Sequence, residues 1–199
     1  MTAVPVAGPA SAYPTLRSPA SIEDPSAPLA YNLLGFCYFT QGDYAKAAGY
    51  YQKASDLLPN NLVFAHDAAI AFDRASNPEQ ATVYAIRAVS SPAAGGEDHY
   101  LMGKLLANAG KAGDAIRELK TAVAQTPDLD GPYYLLARAS MRMGDTAQAT
   151  EWNARLTELK QKRERDHTLQ KTTQKMNKAV PSSTLLKGAP ITSEETEAP

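Results

Sequence analysis

Apolar and polar positions along residues 28–163 follow a helical period, and the helical stretches come in pairs. In the first pair Tyr31, Leu33, Leu34 and Tyr38 recur at three- and four-residue spacings, which sets them on one stripe of a helix. Gly42 and Asp43 then break that helix, because glycine accepts a left-handed backbone and aspartate caps a following helix. A second helix begins near Tyr44 and buries Ala47, Tyr51 and Ala54, spaced by four and three. Pro59 closes the unit, since the residue before a proline is pushed out of helical geometry.

The pattern repeats every 34 residues. Gly35, Ala69, Gly103 and Ala137 share one column, and Ala47, Ala81, Ala115 and Ala149 another. Tyr38, Phe72, Leu106 and Ser140 form a third, and Gly42, Ser76, Gly110 and Gly144 a fourth. Ala54, Ala88 and Ala122 correspond, with Leu156 in the last unit. Pro59 matches Pro127, Pro92 stands one residue early, and the last unit has Gln161. The register divides the chain into units at 28–61, 62–95, 96–129 and 130–163, read as one repeat domain of antiparallel helix pairs. Small residues at Gly35 and Ala47 let the two helix backbones of a pair approach closely. No proline or glycine interrupts the last helix before Val180, so it is expected to continue as a basic extension over 164–179. Residues 1–27, rich in Pro, Ala and Ser, and residues 180–199 are expected to be disordered.

In the first unit Tyr31, Leu34, Gly35, Tyr38, Ala47, Tyr51, Ala54 and Pro59 stand where tetratricopeptide repeats carry their signature, and the chain resembles that family. The third unit matches through Met102, Gly103, Leu106, Ala115, Leu119, Ala122 and Pro127, with His99 in the place of the leading aromatic. The second departs at Ala65 and Ala85. The fourth keeps Tyr133, Leu136, Ala137, Gly144 and Ala149 but has Asn153 at the large apolar place. The resemblance implies an all-α fold, a right-handed α-solenoid of four helix pairs with an extended C-terminal helix. It also implies a non-catalytic protein–protein interaction scaffold that takes a peptide or partner helix in a concave groove lined by the first helix of each pair. Groove candidates are Asn32 and Phe36, then His66, Asp67, Ile70 and Arg74, then Tyr100, Leu101 and Lys104, then Tyr134, Arg138 and Arg142. Lys104, Arg138 and Arg142 beside two tyrosines suit an acidic group on the partner. Arg138 and Arg142 equally suit a solvated row one helical turn apart. The family variant that clamps chaperone C-termini is not expected, because Phe36 stands where its asparagine would be. Two further readings stay open. One is a self-associating assembly factor, a homo-oligomer paired through Tyr50, Tyr84 or the edge of the first repeat. The other is the repeat part of a larger regulator or enzyme.

Composition narrows the partner classes. With 20 Lys and Arg against 21 Asp and Glu, the chain is neither a uniformly basic nucleic-acid binder nor an acidic solvating chain. The balance is uneven, at −3 over 28–159 and +5 over 160–178. The basic stretch reads as a soluble helix capping the array, or as an arm for an acidic protein, membrane surface or nucleic acid. It has no aromatic to stack on a base, so nucleic acid is not an expected partner. The single cysteine, Cys37, forms no internal disulfide and reads within LLGFCYF as a small core hydrophobe. His99 reads as a packing histidine, and His66 and Asp67 are adjacent helical residues that do not face each other. No metal-ligand spacing, nucleophile–base arrangement or phosphate loop is present, so neither a metal, a cofactor nor an enzyme is expected. The longest apolar run, Leu33–Phe39, is too short for a transmembrane segment. The first residues lack the pattern of a signal peptide, which makes the cytoplasm the default; periplasmic or exported placement follows if the true N-terminus lies upstream.

Overall fold

The computed structural model describes residues 28–179, so the segments expected to be disordered, 1–27 and 180–199, lie outside the described residues. Eight helices and no strand occur among the described residues: α1 (Pro28–Thr40), α2 (Tyr44–Leu57), α3 (Leu62–Arg74), α4 (Pro78–Val89), α5 (Gly96–Asn108), α6 (Ala112–Gln125), α7 (Asp130–Arg142) and α8 (Thr146–Ala179). They divide into two compact units, with the boundary between Pro127 and Asp128. In the first unit α1 packs on α2, α3 on α4 and α5 on α6, while α3 also rests on α2 and α5 on α4. In the second unit α7 packs on α8.

The fourth column explains how each pair turns. Asp43, Asn77, Lys111 and Asp145 donate their backbone N–H to Tyr38, Phe72, Leu106 and Ser140 at 3.0, 2.9, 2.9 and 3.0 Å. Each bond closes a Schellman turn, whose preceding residue must take a left-handed backbone. Gly42, Gly110 and Gly144 do so at φ +81°, +78° and +79°, and Ser76 is held there at φ +59° despite its side chain. The residue after the turn then caps the next helix: Asp43 accepts from Lys46 N, Asn77 from Gln80 N and Asp145 from Gln148 N, at 3.2, 3.2 and 2.9 Å.

Close approach within pairs rests on the small column. A Cβ added to Gly35 would lie 2.7 Å from the Tyr51 ring, and one on Gly103 would lie 2.6 Å from Leu119. Ala47, Ala81, Ala115 and Ala149 are all buried, as are Ala54, Ala88, Ala122 and Leu156. On the other side of the first pair Tyr31 and Tyr38 both stack on Tyr50, with ring centroids 6.5 and 5.3 Å apart.

Several sequence expectations are corrected. Leu33 is on the exposed side of α1, and Cys37 is half-buried rather than in the core. Tyr84, expected to be exposed, is buried against Phe72 at 5.5 Å. It also donates to Asp56 at 3.2 Å, beneath the Arg87 guanidinium that holds the same carboxylate at 3.0 Å. Burial and the Asp56 charge push the Tyr84 phenol up to about 12.

The last helix does run on without a break. Its first half packs through Ala149, Trp152, Leu156 and Leu159, all buried. Arg163 pairs with Asp130 at 2.8 Å and donates to the Asp128 carbonyl, which fixes the root of the extension to the start of α7.

Candidate functional site

The first helices α1, α3 and α5 lie side by side in the first unit, and polar groups tie them together. Asn32 of α1 donates to Asp67 of α3 at 2.8 Å. His66 of α3 meets Asp98 of α5 at 2.7 Å, and the other oxygen of that carboxylate accepts the Gly95 N–H at 2.8 Å at the start of α5. Asp73 of α3 holds the Lys104 ammonium of α5 at 2.5 Å. These groups are half-buried or buried, where an unpaired polar atom is costly, so the pairs act as clasps between neighbouring repeats. A separate clasp lies on the second helices, where Arg87 of α4 donates to buried Ser55 at 3.0 Å and to Asp56 of α2 at 3.0 Å.

Electrostatics follow from this packing. Burial raises the Asp67 carboxyl above its ordinary value, against the hydrogen bond from Asn32 and the His66 ring, which pull it down. Burial also pushes the Tyr51 phenol up to about 12, aided by the Asp67 and Cys37 charges nearby.

The candidates named from sequence thus separate. The structure brings Asn32 and Asp67 together and engages His66, with Asp98 as its partner. Lys104, expected to meet an acidic group of a partner, already meets one in Asp73. Leu101, also expected to line the groove, is buried. Phe36 is 57% exposed, Arg74 is exposed, and Ile70 and Tyr100 are half-buried. Tyr134 is exposed, Arg138 half-buried and Arg142 exposed, all on α7 in the second unit. His99, expected as a packing residue, is half-buried and bonded to Glu118 of α6 at 2.9 Å.

Sequence reading missed Asp73 and Asp98. A signal was available: their partners Lys104 and His66 stand 31 and 32 residues away, one repeat length to within three residues. Among the described residues no group of three or more His, Cys, Asp or Glu side chains is gathered to hold a metal ion. No helix there is long and apolar enough to cross a membrane.

Helix hairpins with a repeated turn, as both units show, are the building blocks of protein-interaction scaffolds. Tetratricopeptide repeat models match residues 28–61 and 106–171. The chain belongs to the tetratricopeptide repeat family.

Solved structures agree with that fold. A crystal structure of MamA superposes with a TM-score of 0.68 at 18% identity, over 71% of this chain and 83% of the other. MamA from Desulfovibrio magneticus gives 0.63 at 20%, over 68% and 76%. PilF from Pseudomonas aeruginosa gives 0.59 at 23%, over 67% and 61%. None of the curated proteins matches the chain.

Proposed function

We propose that the chain is a non-catalytic adaptor whose first unit takes a peptide or partner helix on the face shared by α1, α3 and α5. The repeats that build it run over 28–61, 62–95, 96–129 and 130–163, with 164–179 as a helical extension. One observation carries this reading. Once the inter-repeat clasps are set aside, Phe36, Ile70, Arg74 and Tyr100 remain as a set of apolar, aromatic and cationic groups with no partner in the clasps. Rigid aromatic side chains give contact area at low entropy cost, and arginine adds planar donors. Asn32, His66, Asp67 and Lys104 serve this face indirectly, by fixing the spacing of the helices that carry it. Tyr134, Arg138 and Arg142 on α7 are a second contact set, suited to an acidic group.

Capture of partners from cells that make the protein tests the reading. The double variant Ile70→Glu, Tyr100→Ala is expected to lose partners that the wild type retains, with its melting temperature little changed. Equal capture by both proteins overturns it.

A further inference from the structure

Between the connection from α2 to α3 and the end of α4, the first unit holds a cleft of about 380 Å³. Its walls are apolar at Pro59, Leu62 and Pro92, and among the described residues that line it Arg87 alone is charged. The repeat register shows that packing does not call for its polar lining. One period on, the places of Asn60, Asn61, Arg87, Ser90 and Ser91 are taken by Ala94, Gly95, Thr121, Ala124 and Gln125. There α5 still rests on α4 and packs on α6.

Arg87 is held by one corner. Its Nη1 donates to the buried Ser55 Oγ at 3.0 Å, to the Ser55 carbonyl at 3.3 Å and to the Asp56 carboxylate at 3.0 Å. The guanidinium also lies 4.8 Å from the centre of the Tyr84 ring. Among the described residues no acceptor takes the other edge, Nε–H and Nη2–H, which are the paired, parallel donors that match a carboxylate. Neighbouring groups add to that edge. Ser91 Oγ accepts from Ala93 N, and Asn61 Oδ1 accepts from Phe64 N, so the Ser91 hydroxyl proton and the Asn61 amide protons are left to donate. Ser90 Oγ instead donates to the Ile86 carbonyl at 2.8 Å and is left as an acceptor. Asp56 already balances the Arg87 charge, and its field opposes a doubly charged anion more than a singly charged one.

We propose that this cleft binds a singly charged carboxylate carried on an apolar group, whether the last residue of a peptide or a small organic acid. The carboxylate lies along the Nε and Nη2 edge of Arg87, with the Ser91 hydroxyl and the Asn61 amide donating to it. A donor next to the carboxylate, such as the N–H of a final peptide bond, meets Ser90 Oγ, and the apolar part lies against Pro59, Leu62 and Pro92. The site does not use Ile70, Arg74 or Tyr100 and stands independently of the face proposed for partner capture.

Proton–nitrogen NMR of the full chain, with the arginine Nε–H signals observed, tests the proposal. The probes are N-acetyl-alanyl-leucine, the same peptide with its C-terminus amidated, N-acetyl-leucine and inorganic phosphate. The peptide acid is expected to shift the Arg87 Nε–H and the backbone N–H of Asn60, Asn61 and Ser91 saturably, and the amidated peptide is expected to leave them in place. N-acetyl-leucine binding as well as the peptide acid supports the site and assigns it to small acids; weaker binding supports it and assigns it to peptide ends. Arg87→Lys keeps the charge but loses the planar edge, and is expected to weaken binding about tenfold. Because that change also removes the bonds to Ser55, Asn60→Asp serves as a second variant. Asn60 is exposed, so its circular dichroism is expected to match the wild type while the added carboxylate weakens binding by a similar factor. The proposal is overturned if the acid and amidated peptides bind alike, if phosphate binds more tightly than either acid, if no signal around the cleft moves, or if both variants bind as the wild type does.

Discussion

α3 and the distal half of α8 are both regular helices, yet they are held by different physics. α3 buries Phe64, Ala65, Ala68, Ala69, Ala71 and Phe72, and is clasped to α1 through Asp67 and to α5 through His66 and Asp73. From Lys160 onward the described side chains of α8 are exposed, and the segment carries +5. Among the described residues its last ion pair to another helix is at its root, Arg163 to Asp130. Its order rests on local backbone bonds and on the helix propagating from a packed first half, which contribute little per residue. Regular secondary structure is therefore a poor guide to where stability resides; neighbours on both sides are the better one.

Truncation should separate the two regions most sharply. Phe64→Ala is expected to lower unfolding free energy by about 3–5 kcal/mol in urea titration, whereas Leu169→Ala should stay within about 0.5 kcal/mol of wild type. A comparable loss at both sites would erase the distinction. Lys104→Met, which strands Asp73 between α3 and α5, is expected to cost about 1–3 kcal/mol by the same titration. If that loss is absent, the pair is a surface ornament and the clasp argument fails. The turn column offers a finer comparison. Gly110→Ala forces a side chain into the left-handed region and should cost about 1 kcal/mol, while Ser76→Gly relieves that strain and should gain about 0.5 kcal/mol after the unfolded-chain entropy is counted.

The smallest expected effect is a pH slope. The Asp67 carboxyl lies above its ordinary 3.8 because it is buried. The folded chain thus binds that proton more tightly than the unfolded chain does, and stability falls as pH rises through the window above 3.8. Asp67→Asn has no such proton to lose. Thermal melts between about pH 4 and pH 7 should therefore show the difference moving in the variant's favour as pH rises. A difference that moves the other way would mean that Asn32 and His66 outweigh burial.

The backbone of this fold was legible because its geometry recurs: the Gly42, Ser76, Gly110 and Gly144 column marks the turns, and the alanine columns mark the close contacts. The proposed contact face was legible only in outline. Which polar residues look outward and which bind the next repeat depends on where two side chains one period apart happen to meet. Asn32, Asp67, His66 and Lys104 look like recognition residues when taken singly, and become clasps once Asp73 and Asp98 are placed beside them. Leu33 was misread for a related reason. Its helical spacing suits a core stripe, but among the described residues no helix precedes α1 to bury that side.

On the proposed function, partners are taken on the face shared by α1, α3 and α5. Photo-crosslinking tests it most directly, with benzoylphenylalanine placed in turn at Ile70, at Tyr100, at Lys120 on α6 and at Leu169 on α8 of the full chain. Adducts to a foreign protein are expected from Ile70 and Tyr100 and not from the other two positions. Adducts from Lys120 or Leu169 alone would contradict the claim.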